Sequence, residues 1–268
     1  MSRGVRRIVL AAVAAIPLVA LFGTGLSSQR GVEESDAQRH AAGAARAVAA
    51  KIDRHFGELE YLLQRLGAAV STDPGDVERN DALLRGAKSE QPAIIANIFV
   101  LARDGSNIGN AVGAHAAAGD REYFQRAMAG TPLVVGHAIR SRSNLGWVIP
   151  VARPLHNGAG EIRGVLTAAT SLDGLRDVID VDDLPPGSVV RIVRDDGTEV
   201  TTIARDGAAS AADPGRAGEP ASRRNEDGEA ASSDVARVAG FARTRRASWL
   251  ITVALPTDAA AVRLANGQ

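Results

Sequence analysis

Nineteen consecutive residues without a charge, Ile8 to Leu26, constrain this chain more than any other feature. A helix needs about 20 such residues to cross a bilayer, so the run is long enough to span one. Arg3, Arg6 and Arg7 flank it on one side, and Glu33, Glu34 and Asp36 follow on the other. That asymmetry keeps the amino terminus in the cytoplasm and sends the bulk of the chain across the membrane. Pro17 is compatible with a spanning helix, because neighbouring groups in lipid re-satisfy the carbonyl it frees. The competing reading is a cleaved secretory signal, but that needs a shorter apolar region and a cleavage site that Gly23-Thr24-Gly25 matches poorly. Both readings export the remainder. The expectation is a single-pass plasma (inner) membrane protein, anchored through residues 8–26, with its bulk periplasmic or extracellular.

From Ala45 the apolar residues Val48, Ile52, Phe56, Leu59, Leu63, Leu66 and Val70 recur at spacings of three and four, the period of one helical face. The spacing predicts a long amphipathic helix within residues 30–75, ended by Ser71-Thr72-Asp73-Pro74-Gly75. Its apolar stripe packs on its own domain or forms a homodimer seam over residues 45–70. A second, polar helix is predicted over Val77 to Ser89.

After Pro92 the period becomes that of strands. Ala93 to Leu101, the turn Asp104-Gly105 and Ser106 to Val112 predict a hairpin. Gly119 to Ala127 reads as a short helix with Asp120 as its N-cap. Three strand candidates follow at Leu133 to Ile139, Trp147 to Leu155 and Ile162 to Ser171, and a helix over Leu172 to Ile179 closes the unit. Helix, strand pair, short helix and three strands make an α+β arrangement, an antiparallel sheet with helices on one side. Beyond Pro186 the pattern restarts in reduced form: strands at Ser188 to Arg194, Thr198 to Ala204, Val235 to Phe241 and Trp249 to Leu255, then a terminal helix over Thr257 to Ala265. Residues 205–233 carry almost no large apolar side chains and are expected to form a long or disordered loop.

Function classes fall away by counting. Basic and acidic residues balance at 31 each, and no basic cluster stands out, so no nucleic-acid partner is expected. The absence of cysteine removes disulfides, thiolate metal sites and cysteine nucleophiles. His40, His55, His115, His137 and His156 are dispersed, without the i, i+4 pairing of a zinc helix, so no metal is expected. No phosphate loop, dinucleotide fingerprint or nucleophile elbow occurs, which leaves no catalytic residues and no cofactor to assign. Asp182-Asp183 and Asp195-Asp196 are adjacent pairs in turns, where the side chains diverge into water. A hydrolase built from dispersed residues is the weakest of the readings.

The run Asp120-Arg121-Glu122-Tyr123-Phe124 gives the pattern an identity. With Ser141 to Trp147, Ala152-Arg153-Pro154-Leu155, Gly160 to Leu175 and the order of elements, it resembles the double Cache family of bacterial extracytoplasmic sensor domains, best from about Val32 to Ile179. The resemblance implies two PAS-like modules on one long helix. Residues 1–29 would be cytoplasmic stub and anchor, 30–75 the helix, 76–183 a complete membrane-distal module holding a small ligand, and 184–268 a smaller membrane-proximal one. It places Arg121 and Tyr123 in the ligand pocket, where a guanidinium grips a carboxylate through two parallel bonds and an aromatic ring excludes water. Arg140, Arg142 and Trp147, on the adjoining hairpin, are further ligand-binding candidates, and Arg153 is expected to be structural. Amino-acid-sensing members carry an aspartate on the last strand for the ligand's ammonium. The matching stretch here, Thr167-Ala168-Ala169-Thr170, has no acid, so the expected ligand is a plain organic acid.

The function expected is thus a membrane-anchored sensor that relays ligand binding through the long helix. No apolar span follows Leu255, so the cytoplasmic output domain is expected to lie outside this chain. An envelope solute-binding or protein-interaction module without transmembrane signalling is the alternative.

Overall fold

A computed structural model describes residues 36–206 and 237–257. The apolar run at 8–26, most of the loop expected at 205–233 and all but the first residue of the terminal helix fall outside them. Among the described residues no helix is long and apolar enough to cross a membrane.

The periodic stripe forms one helix, α1, described over 36–67. Its apolar face is buried as far as Leu63, with Ile52, Phe56 and Leu63 each 0% exposed, and Leu66 is partly buried. After a 3-10 turn over Pro74–Asp76, α2 occupies Val77–Ser89, as the spacing predicts. Asp73 caps the turn, its carboxylate accepting from Gly75 N at 2.8 Å.

Two antiparallel sheets follow. The first contains β1 (Ile95–Ala102), β2 (Asn107–Asn110), β3 (Val134–Val135), β4 (Ile139–Arg140), β5 (Trp147–His156) and β6 (Ile162–Ser171), in the order β2-β1-β6-β5-β3, with β4 also pairing β5. The single strand predicted at Leu133 to Ile139 is thus two short pieces. Gly136 sits between them, and a Cβ there would come within 2.7 Å of Pro150 Cγ and 3.2 Å of Tyr123 Cβ. Close approach to β5 and to the short helix ahead of β3 holds the chain in this bent path. That helix, α3, spans Glu122–Met128, and α4 spans Leu175–Ile179, shorter than predicted.

The second sheet is β7 (Val189–Val193), β8 (Glu199–Ala204), β9 (Arg237–Arg243) and β10 (Leu250–Pro256), in the order β8-β7-β10-β9. It repeats the first in smaller form.

Side-chain alternation divides the first sheet into two faces. Ile98, Val100, Ile149, Val151, Leu166 and Ala168 join the core with α1, while Leu101, Ala152 and Val165 pack with Tyr123, Phe124 and Ala127 of α3. The core under α1 continues without interruption into Val190, Ile192, Ile251 and Val253 of the second sheet. One helix therefore seats both sheets.

His55 lies on that buried helix face, its Nε2 3.1 Å from Thr170 Oγ1 on β6. Burial holds its pKa below the usual imidazole value. The unfolded chain accepts a proton below about pH 6.5 that the folded imidazole resists, so this group costs no stability above that pH and an increasing amount below it. His137 is shifted the same way, again chiefly by burial. Melting temperatures from pH 7 to 5 are expected to fall, and His55→Gln is expected to flatten that slope without abolishing it. An unchanged slope would show that His55 is not the group responsible.

Candidate functional site

On the face of the first sheet away from α1 lies a cleft of about 490 Å³ of empty space, its mouth included. The sheet supplies its floor, through Asn97 and Phe99 of β1, Val148 and Pro150 of β5 and Ala169 of β6. Alternation explains the choice: these positions share parity with the residues that pack on α3. One wall is the start of α3, with Arg121 and Tyr123, and the other is the segment Ile139 to Ser143 at β4 and beyond it. Gly105 brings the third side within reach. Its φ of 83° makes the turn after β1, and a Cβ there would lie 2.3 Å from Gly119 Cα. Two glycines in contact let the chain ahead of α3 fold against the β1–β2 turn, with Ala116 and Ala118 facing the cleft.

Three of the five residues singled out in the sequence bring side chains to this one cleft: Arg121, Tyr123 and Arg142. Arg140 borders it through its carbonyl, since it lies opposite Trp147 across β4 and β5 and its exposed side chain takes the other face. Trp147 does not line it. It is one residue out of phase with Val148 and packs, partly buried, against the core beneath α1. A role for Trp147 in the cleft is therefore withdrawn.

The charges are arranged unequally. Arg142 grips Asp120 through both terminal nitrogens, Nη1 to Oδ1 at 2.8 Å and Nη2 to Oδ2 at 2.6 Å, and also donates to the carbonyl of Ala117. This bond holds the Asp120 carboxyl below the usual range. Asp120 is thus no N-cap: Arg121 occupies that position, without a capping side chain, and the aspartate pins the chain ahead of α3 to the β4–β5 connection. The winning interaction is a bidentate pair across 22 residues of sequence.

Arg121 sends Nη2 only to the backbone carbonyl of Arg140, a long 3.4 Å. Neither Arg121 nor Arg140 has a carboxylate partner among the described residues. No aspartate or glutamate lines the cleft. Its electrostatic character is cationic, with an apolar floor.

Tyr123 is 4% exposed, and burial pushes its hydroxyl up to a pKa of about 12, so it stays a donor. That hydroxyl finds no hydrogen-bond partner among the described residues. Tyr123→Phe is expected to leave the unliganded melting temperature unchanged or slightly higher, since no protein bond is lost. It should weaken ligand binding by roughly 5–10-fold, the usual worth of one hydrogen bond. Equal ligand affinity in both proteins would remove the hydroxyl from the site.

Sequence reasoning missed Asn97, which is 3% exposed on the floor. Its amide is fully engaged, donating to Asn110 Oδ1 at 2.7 Å and accepting from the N–H groups of Ile98 and Val112 at 2.9 and 3.0 Å. It braces the end of β2 rather than offering bonds to a ligand. Nearby Thr167, 0% exposed, has a buried Oγ1 without a partner. Among the described residues no cluster of three or more metal-ligating side chains occurs. His115 pairs with Asp81 at 2.9 Å and His137 with Glu122 at 2.6 Å.

The family model described as Cache domain matches residues 27–263. No curated protein matches the sequence. Among solved structures, the ligand-binding domain of the Pseudomonas aeruginosa amino-acid chemoreceptor PctB, in complex with L-Arg, is 16% identical. That match covers 84% of this chain and 97% of that one, with a TM-score of 0.61. The ligand-binding domain of the Pseudomonas fluorescens chemoreceptor CtaA with L-isoleucine is 15% identical over 88% of this chain and 98% of that one, with a TM-score of 0.62. The extracellular domain of a putative histidine kinase, rpHK1S-Z16, is 19% identical over 88% and 96%, with a TM-score of 0.50. At such identities the likeness is one of fold.

Proposed function

This chain belongs to the double Cache domain family, and from that premise we propose that it is the extracytoplasmic, ligand-binding part of a membrane-anchored sensor whose ligand is a small organic carboxylate. The observation that carries the ligand class is the cleft itself: the guanidiniums of Arg121 and Arg142, the hydroxyl of a buried tyrosine that has no protein partner among the described residues, and no acid in the lining. PctB and CtaA were solved with amino acids bound. An amino acid's ammonium entering this cleft would be desolvated beside guanidiniums with no carboxylate to receive it, an uncompensated cost. A carboxylate without an ammonium meets complementary groups throughout.

The relay is proposed to run through α1. Lys51 Nζ donates to the Ile179 carbonyl and the Asp180 carboxylate, both at 3.3 Å, and Asp53 accepts from the backbone N–H groups of Arg245 and Arg246 at 2.9–3.1 Å. The helix is thereby tied to the segment joining the two sheets and to the β9–β10 turn. A rearrangement of the first sheet on ligand binding would be carried along it toward residues 8–26, the proposed anchor.

A thermal-shift screen of small organic acids on the exported part tests the ligand class. Binding acids are expected to raise the melting temperature, and Arg121→Ala to weaken that response by at least about tenfold in ligand concentration, the worth of a charge-assisted bond. If the same acids stabilise both proteins equally, the site lies elsewhere.

A further inference from the structure

We propose that the groove between α1 and β9 is a docking site for an extended acidic segment of another protein, one whose acidic and apolar residues alternate. This goes beyond the sensor reading and is independent of it, because the groove lies against α1 and the ligand cleft on the opposite face of the first sheet.

The groove holds about 1270 Å³ of empty space, its open side included. Ala49 and Ala50 leave room along the helix, and arginines line both banks: Arg46 and Arg54 from α1, Arg243, Arg245 and Arg246 from the end of β9 and the turn after it. Two of the five are occupied, Arg243 by Asp195 and Arg246 by Glu60. Arg46, Arg54 and Arg245 are exposed, and their guanidiniums meet no acid among the described residues. The lining's own acid, Asp53, accepts instead from the backbone N–H groups of Arg245 and Arg246. A carboxylate brought from outside therefore has guanidiniums to meet on both banks.

β9 supplies what an extended segment needs. It ends the second sheet and pairs with β10 alone, so its other side offers alternate backbone N–H and C=O groups that no described strand takes up. Phe241 on that strand is 58% exposed, a large apolar side chain left in water beside the arginines. Parity then specifies the partner. Gly240 approaches Ala41 of α1 and Ala242 packs on the core, whereas Phe241 between them faces the other way. A strand added beside β9 meets the arginines of α1 on one face and Phe241 on the other. Acids at every second position, with apolar residues between them, fit both. A second copy of this chain does not fit. A two-fold axis along the helix would set the arginines of one α1 against the identical arginines of the other.

Fluorescence anisotropy of a labelled peptide of alternating Glu and Val, about ten residues long to match a long strand, titrated with the full chain in uncharged detergent, tests this. Saturable binding is expected, weakened several-fold between about 50 and 300 mM salt because the contacts are exposed ion pairs. Arg46→Ser/Arg54→Ser should weaken it roughly 3–30-fold, the worth of two such pairs, and Phe241→Ser at least about fivefold. All three residues are exposed, so these variants are expected to melt with the parent. N-methylation of alternate nitrogens in the probe should cost about tenfold or more, since it blocks pairing with β9 and alters no charge. A peptide of the same composition in two blocks, Glu then Val, and dextran sulfate should each bind at least about tenfold more weakly than the alternating peptide. Equal binding by either, with N-methylation without effect, overturns the strand assignment and leaves a general polyanion surface. No binding of the alternating peptide, or binding that survives both sets of substitutions, overturns the docking site. In neither event does the organic-acid response of the cleft change, so the two readings fail separately.

Discussion

Replacing Gly240 with valine is expected to destabilise the protein by about 3–5 kcal/mol and to detach α1 from the second sheet, since the clash involves backbone that has nowhere to go. A Cβ at Gly240 on β9 would sit 2.0 Å from the Ala41 carbonyl carbon, 2.1 Å from its oxygen and 2.2 Å from Ala42 N. The helix could escape only by moving outward, and that would open the contacts of Ala41 and Ala45, both 0% exposed. Gly43, two residues along on the same helix, is the control. Nothing lies within 4 Å of a Cβ placed there. Gly43→Ala is therefore expected to stabilise by about 0.5–1 kcal/mol, because alanine loses less backbone freedom in a helix. Chemical denaturation of the two variants should move in opposite directions. A Gly240→Val protein as stable as the parent would mean that helix and sheet do not meet there.

The contrast shows what a sequence can and cannot reveal. The α1 stripe was legible because seven apolar residues at spacings of three and four admit one interpretation, and all but the last of them belong to the described helix. The α2 boundaries were legible because Asp73, Pro74 and Gly75 each carry a local reason to stop or start a helix. Both sheets were legible as strand runs between turn residues. Gly240 was not, since a glycine inside a strand marks close approach without naming what approaches.

The cleft was legible in part and for a different reason. Arg121 and Tyr123 come from one short motif, and Arg142 from the hairpin beside it, so local sequence brings most of the cationic wall together. What it could not supply was the pairing of Asp120 with Arg142, which depends on how two loops meet. Locally Asp120 looks like a cap, because a side-chain oxygen ahead of a helix usually serves the nearest N–H groups. A guanidinium presented in the right plane is the stronger partner, and only the fold presents it. Trp147 failed for want of polarity. The interior of β5, Val148 to Ala152, is buried on both faces, so no alternation of polar and apolar residues tells which face looks into the cleft.

Phe56→Ala carries the other large effect, and it bears on the proposed relay as much as on stability. Phe56 of α1 is 0% exposed and meets Trp249, 1% exposed, edge to face with ring centroids 5.2 Å apart. This contact ties the middle of the helix to the start of β10, while one residue earlier His55 touches Thr170 of the first sheet. Adjacent side chains therefore engage both sheets. Truncating Phe56 removes its own buried area and leaves a cavity against a large aromatic that cannot collapse into it, a loss of about 3–5 kcal/mol. For a chain of this size that corresponds to a fall of roughly 6–20 °C in melting temperature. Phe56→Leu keeps most of the volume and loses the edge-to-face contact, so it should cost under half as much. The diagnostic measurement is hydrogen exchange on β10 with and without a bound acid. In the parent, ligand in the cleft of the first sheet is expected to change protection on β10, and in Phe56→Ala that change should disappear while binding persists. Persistence of the β10 response in the variant would mean that the signal reaches the second sheet by a route other than α1.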